Sequence, residues 1–309
     1  MNLKGKDIIS IRDMNKDDIQ LILNTAEKME TYARGEKVCK LMEGKILGTL
    51  FFEPSTRTRL SFTSAMQRLG GEVMGFSGTT ITSMTKGENL VDTIKTVERY
   101  CDMIVIRHPM EGSARLAAEV SSKPVINAGD GGNQHPTQTL LDLYTIKKVK
   151  GKIKGLDVVL LGDLKYARTM RSLSFALAMF DANITFVSPK GLEMSKDILI
   201  EIENKFGKKP FQTNDIDAGL RKADVIYICR IQKERFEDKF EAERMQKAFR
   251  ITPEILGQCK DEVAILHPLP KITEIDPKVD EMKCAKYFDQ TFYGVPVRMA
   301  LLSLISGVI

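Results

Sequence analysis

Residues 55–59, Ser-Thr-Arg-Thr-Arg, place three hydroxyls and two guanidinium groups in consecutive positions directly after the apolar run 45–52. Where a strand passes into a helix, the first helical amides have no intrahelical acceptor and the helix dipole is positive. Ser55 at the N-cap, followed by Thr56, Arg57 and Thr58, therefore offers amides, hydroxyls and a planar guanidinium to an anion, most simply a phosphate. The structural alternative is a capped, solvent-facing helix start with two surface arginines.

The chain has 3 histidines, and each precedes a proline: His108, His135 and His267. In GGNQHPTQTLLDL, Pro136 suits the first helical position and His135 the N-cap. A neutral imidazole there can donate to a carbonyl oxygen and stabilise charge developing on it. A structural capping histidine is the equal alternative. Arg107, Arg168 and Arg230 each end or closely follow an apolar run. Arginine is costly inside a parallel sheet but reaches a ligand from its carboxyl edge, although for any one of them a surface ion pair is the commoner fate. The stretch TSMTKGENL, with Ser83 and Lys86, reads as a solvated loop. No Cys/His spacing for zinc and no H-E-x-x-H occurs, so no metal is expected. GDLKYA lacks the later glycines of G-x-G-x-x-G, which argues against a nicotinamide cofactor.

Such groups need elements to hold them. Apolar runs at 45–52, 72–77, 101–108 and 124–129 alternate with amphipathic stretches at 56–71, 92–100, 113–121 and 136–151. The alternation restarts at GLDVVLLGDL and continues through helix 168–181 and strands at 183–189, 223–230 and 262–270. Strands that are apolar throughout, separated by helices, predict an α/β fold of two open, doubly wound parallel-sheet domains. The glycine and lysine run GKIKG sets the boundary: 1–150 as one domain, 151–290 as the second, and 291–309 as a C-terminal helix returning to the first, with 295–309 spaced as an amphipathic helix. Ligands of such sheets bind beyond the carboxyl ends of the strands, where every polar cluster above falls.

Lys plus Arg is 46 against 41 for Asp plus Glu, a net charge of +5 with both signs mixed, which suits a small anion better than nucleic acid. The 5 cysteines are scattered and never form C-x-x-C, as expected in a reducing compartment. No apolar run is long enough to span a bilayer and the start MNLKGKDIIS lacks a signal-peptide core, so a cytoplasmic protein without a membrane partner is expected.

Taken in order, STRTR at 55–59, HPTQ at 135–138 and HPLP at 267–270 resemble the aspartate/ornithine carbamoyltransferases, or transcarbamoylases, over essentially the whole chain. The resemblance implies carbamoyl transfer from carbamoyl phosphate to an amine, without a cofactor, in a cleft between the two domains. It implies that Ser55, Thr56, Arg57, Thr58 and Arg107 hold the phosphate, that His135 and Gln138 meet the carbamoyl carbonyl and amide, and that the carbonyls of Leu269 and Pro270 accept from the carbamoyl group and the amine. Catalysis would rest on Arg57, Thr58, Arg107 and His135. RIQKER, with Arg230 and Gln232, together with Arg168, is similar to the branch that uses L-aspartate; H-C-L-P and S-M-G, which mark the ornithine branch, are absent.

The family also carries the loop matching Ser83 and Lys86 into a neighbouring subunit's site. The implied assembly is a homotrimer with Lys86 touching both substrates, and any regulatory function would come from separate chains. Lys271 departs from the arginine usual after HPLP and loses a two-pronged contact. Arg59 is expected to be a structural partner and not a ligand. Three rivals stand beside this reading: transfer to ornithine or another amine, a noncatalytic phosphate-binding module, and a nicotinamide dehydrogenase.

Overall fold

Runs of five or six apolar residues form the central strands and are buried on both faces, as helix-covered parallel sheets require. The computed structural model describes residues 3–78, 83–231 and 239–309. The chain divides into two compact units, Met1–Tyr144 with Thr291–Ile309, and Thr145–Gln290. Both divisions fall inside helices, and the first lies six residues before the GKIKG run.

In the first unit, β1 (Ile46–Phe51), β2 (Glu72–Ser77), β3 (Met103–His108) and β4 (Val125–Asp130) form a parallel sheet in the order β2-β1-β3-β4. Helix α1 (Lys16–Ala33) precedes it. The crossovers are α2 (Thr56–Arg68), α3 (Leu90–Val97) and α4 (Ser113–Val120), and α5 (Pro136–Lys150) follows β4. Because the order reverses at β1, right-handed crossovers put α2 on one face and α3 and α4 on the other. Helix α2 buries Thr58, Phe62, Ala65 and Met66 at helical spacing, while Arg59 and Leu60 stay exposed. The core between β1, β3, α3 and α4 is built from Leu50, Ile94, Ile104, Ile106, Ala114 and Ala117.

The second unit repeats the plan with β5 (Asp157–Gly162), β6 (Asn183–Val187), β7 (Phe211–Thr213), β8 (Val225–Cys229) and β9 (Ala264–Leu266), ordered β7-β6-β5-β8-β9 and parallel throughout. Its helices are α6 (Arg168–Met179), α7 (Lys196–Phe206), α8 (Ile216–Leu220), α9 (Lys239–Ala248) and α10 (Pro253–Leu256). The last helix, α11 (Tyr287–Ser306), begins in this unit and ends in the first.

Two expectations change. The C-terminal helix starts at Tyr287, four residues before the expected 291–309, and carries Pro296 inside it. It is also not amphipathic: every residue from Val297 to Ile305 is buried, because the helix passes through the interior and not over its surface. Helix α1 is absent from the sequence reading although its signals are present. Asn15 caps it by accepting from the Asp18 amide at 2.8 Å, and Ile19, Ile22, Leu23, Ala26 and Met29 repeat at helical spacing. Among the described residues no helix is long and apolar enough to cross a membrane.

At the carboxyl end of β5, Gly162 takes φ +122, and a Cβ there would lie 2.0 Å from the Cys229 carbonyl oxygen on β8. Gly155 also has a positive φ, +74, but open space around it. Gly162→Ala is therefore expected to destabilise the protein by about 3 kcal/mol and Gly155→Ala by about 1 kcal/mol, read as shifts of the urea midpoint at constant m. Equal effects would show that the β5–β8 approach is not the constraint.

Candidate active site

Strand order reverses between β1 and β3 in one unit and between β5 and β8 in the other, and open α/β sheets bind ligands at such switch points. Arg57 follows β1 and Arg107 is the penultimate residue of β3; Arg168 follows β5 and Arg230 follows β8. Each switch point thus carries two arginines.

In the first unit, Phe51 pairs with Arg107 in the parallel ladder, and the Arg107 carbonyl accepts from the Phe52 amide at 2.8 Å. The same arginine donates to Glu53 Oε1 at 3.2 Å and to the Ala128 carbonyl at 3.3 Å, which tethers the β1–α2 turn to β3 and β4. Its Nε finds no partner among the described residues. Helix α2 starts at Thr56, and the Ser55 hydroxyl makes no capping hydrogen bond. The first amides of α2 are left for an external acceptor. Partial burial and the facing charge of Arg107 hold the Arg57 guanidinium below its usual range. Two like charges brought together at an uncapped helix start form a site for an anion, since an anion relieves their repulsion.

Asp130, at the end of β4, organises the loop to His135. Its carboxylate accepts from the amides of Gly112 and Gln134 and from the side chains of Asn127 and Asn133, at 2.9 to 3.1 Å. The His135 carbonyl opens α5 by accepting from the Gln138 amide at 3.1 Å, as an N-cap residue does. Its ring is buried, with Nδ1 3.5 Å from the Thr137 hydroxyl. Gln138 donates to Asp142 Oδ1 at 2.9 Å. Ser83 opens the 3-10 turn Ser83–Lys86, and Lys86 is exposed and pairs with no carboxylate among the described residues.

In the second unit the segment after β9 is held from inside. His267 Nδ1 accepts from the Leu269 amide at 2.8 Å, so the ring proton sits on Nε2 and is donated to Glu274 Oε1 at 2.8 Å. Glu274 Oε2 accepts from the amides of Ile272 and Thr273 at 3.1 and 2.9 Å. Burial raises the Glu274 pKa, but the hydrogen bond and charge of His267, with the backbone donors, outweigh it and leave the carboxyl below its ordinary range. The turn has a cis Leu269–Pro270 bond and φ +54 at Leu269. Arg168 opens α6 and Arg230 follows β8, both half-buried. Asp163 Oδ1 accepts from the Tyr166 amide at 2.9 Å and shapes the loop before Arg168. Burial first, then the charges of Asp163 and Glu274, push the Cys229 thiol up to about 12, so it is no nucleophile. Gln232 lies outside the described residues.

Residues 6–148 match "Aspartate/ornithine carbamoyltransferase, carbamoyl-P binding domain" and residues 154–305 match "Aspartate/ornithine carbamoyltransferase, Asp/Orn binding domain". The chain belongs to the aspartate/ornithine carbamoyltransferase family. It is 56% identical over 309 residues, 100% of this chain and 99% of the relative, to the aspartate carbamoyltransferase catalytic subunit of Thermococcus kodakarensis. To that of Archaeoglobus fulgidus it is 53% identical over 296 residues, covering 96% and 97% of the two chains. Among solved structures, the catalytic subunit of M. jannaschii aspartate transcarbamoylase matches with TM-score 0.91 and 50% identity over 96% of this chain and 97% of that one. The Trypanosoma cruzi aspartate transcarbamoylase in complex with N-(phosphonacetyl)-L-aspartic acid matches with TM-score 0.93 and 36% identity over 98% and 96%.

In this carbamoyltransferase chain the structural and functional readings of the histidines separate. His108 is buried and accepts from the Met110 amide through Nδ1 at 3.0 Å, and His267 holds its turn through Glu274. Only His135 was assigned to the site from the sequence. Arg59, read as a structural partner and not a ligand, is exposed on α2. Lys271 is tied to Asp280 at 2.9 Å beside the buried Tyr287. Glu53, Asp130, Asp163 and Glu274 were missed, because lone carboxylates carry no motif and their partners lie up to 54 residues away, as Arg107 does from Glu53.

Replacing Glu274 by Gln keeps an acceptor for His267, but its amide cannot accept from Ile272 and Thr273. Glu274→Gln is expected to cost about 2–3 kcal/mol at pH 7. Since the native carboxyl titrates below its unfolded value, its stabilisation is present above the unfolded pKa and lost as pH falls through the native one. The variant should therefore show a shallower acid-side loss of stability in urea melts from pH 7 to 3, and an unchanged slope would contradict this.

Proposed function

We propose that this chain transfers the carbamoyl group of carbamoyl phosphate to the amine of L-aspartate, giving N-carbamoyl-L-aspartate and inorganic phosphate for pyrimidine biosynthesis. The observation that carries this reading is the convergence of Arg57 and Arg107 at the uncapped start of α2. Full-length relatives named for the same transfer support it.

In this reading Ser55, Thr56, Arg57 and Thr58 cradle the phosphate with Arg107, and Ser83 with Lys86 reaches it from a neighbouring copy. Gln138 and the carbonyls of Leu269 and Pro270 hold the carbamoyl amide and the incoming amine. Arg168, Arg230 and Gln232 bind the carboxylates of aspartate together with Lys86. A dicarboxylate suits the paired arginines of the second switch point, where cationic ornithine would be repelled. The lone pair of the aspartate amine attacks the carbonyl carbon, and Thr58, Arg107 and His135 stabilise the negative oxygen of the tetrahedral intermediate. The carbon–oxygen bond to phosphate then breaks. Arg57 and Lys86 offset the charge on the departing group, which accepts the amine proton, so the protein needs no general base. Orientation supplies the rest of the acceleration.

The assembly is a homotrimer in the cytoplasm, and regulation, where it exists, comes from separate chains. Lys86, exposed and without a carboxylate partner among the described residues, fits a side chain that works in a neighbour's site. A carbamoyl-transfer assay with aspartate, ornithine and putrescine tests the reaction, and turnover with ornithine alone would reject the acceptor. Arg57→Ala should lower kcat at least about a hundredfold, whereas Arg230→Ala should mainly raise KM for aspartate. Equal loss for both substrates would contradict this division. Trimers mixed from inactive Lys86→Ala and Arg57→Ala chains should regain part of the activity, and none in verified mixtures would count against shared sites.

A further inference from the structure

Among the described residues of the first unit Arg298 is the most deeply buried cation, 2% exposed within α11, and it forms no ion pair with a described carboxylate. Its Nη1 donates to the Gly294 carbonyl at 3.1 Å, and its guanidinium lies 4.9 Å from the ring centroid of Phe62 on α2. A Cβ at Gly294 would fall 2.4 Å from Nη1, so the helix is shaped around this group. Burial pulls the Arg298 pKa down to about 10 against the opposing charge of Asp142 on α5. Asp142 is itself fully buried, and its Oδ1 receives the Gln138 amide nitrogen.

A carboxylate only accepts hydrogen bonds, so an ionised Asp142 dictates which end of the Gln138 amide it meets. The NH2 group turns to Asp142 and the carbonyl Oε1 is presented on the opposite side, where it accepts from no group among the described residues. Burial disfavours the charge of a carboxylate, and the guanidinium of Arg298, seated between Gly294 and the Phe62 ring, is a buried cation whose charge acts on Asp142. Resting on the function proposed above, we infer that Asp142 and Arg298 are positioning residues that lock Gln138 as a hydrogen-bond acceptor, and so select an acyl phosphate bearing an NH2 group over one bearing a methyl. Sites built to pair a polar group reject the analogue that lacks it, because the protein group is then left unpaired.

The pair phosphonoacetamide and phosphonoacetone differ only by NH2 against CH3 at the position of the carbamoyl amide, and binding of each is read by titration calorimetry without turnover. Wild type is expected to bind the amide at least tenfold more tightly. In Asp142→Asn, whose own amide can meet either end of Gln138, this preference should fall about tenfold while phosphonoacetone binding stays within about twofold. Asp142→Asn/Arg298→Met removes the orphaned buried cation and should show the same loss of preference if the single variant unfolds. Folded variants that keep the wild-type preference, or that weaken both ligands equally, overturn the inference. Wild type that binds neither ligand overturns it together with the phosphate site, whereas carbamoyl transfer by wild type with an unchanged preference in the variants rejects the inference alone.

Discussion

Phe51 stands opposite Arg107 in the parallel ladder between β1 and β3, and the placing of two arginines at the start of α2 follows from that register. Shifting it by one residue would turn Arg107 to the other face of the sheet and remove both its contact with Glu53 and its approach to Arg57. Parallel strands run in one direction, so their carboxyl ends and the amino ends of the following helices gather at one edge. There the unsatisfied amides of α2 and two guanidinium groups meet. Two like charges face each other there, and the Glu53 carboxylate and the Ala128 carbonyl keep Arg107 in place.

Buried polar groups carry the next layer of order. Asp130 gathers the turn that leads to His135, His267 and Glu274 gather the turn that contains Leu269 and Pro270, and Asp142 with Arg298 stands behind Gln138. Each is a hydrogen-bonded or charge-balanced group inside an apolar surround, where an unpaired partner would cost several kcal/mol. Such groups determine loop shape more sharply than apolar packing does, because hydrogen bonds are directional. The two switch points reuse one plan with different polar sets: hydroxyls, two arginines and an uncapped helix in the first unit, and Arg168 and Arg230 in the second.

Much of this was legible from residues alone, for identifiable reasons. Strands such as Val225–Cys229 are apolar throughout because both faces are covered, so they stand out against the helices. STRTR and HPTQ combine local chemistry with a predictable strand-to-helix position, and local signals survive without knowledge of the fold. The amphipathic reading of the last helix failed because a helix buried on all sides has no polar face to display, and its polar exceptions, Arg298 and Ser303, are buried as well.

From its sequence alone the chain determines its α/β class, its hydroxyl- and arginine-rich strand-to-helix turn and its family, since these depend on composition, period and short strings of residues. Tertiary structure decided which arginines converge, which histidines are structural, and which carboxylates serve them. Those relations join residues far apart in the chain, such as Glu53 with Arg107 or Asp7 with the Val125 amide, and only strand register and helix packing bring such groups within reach of one another.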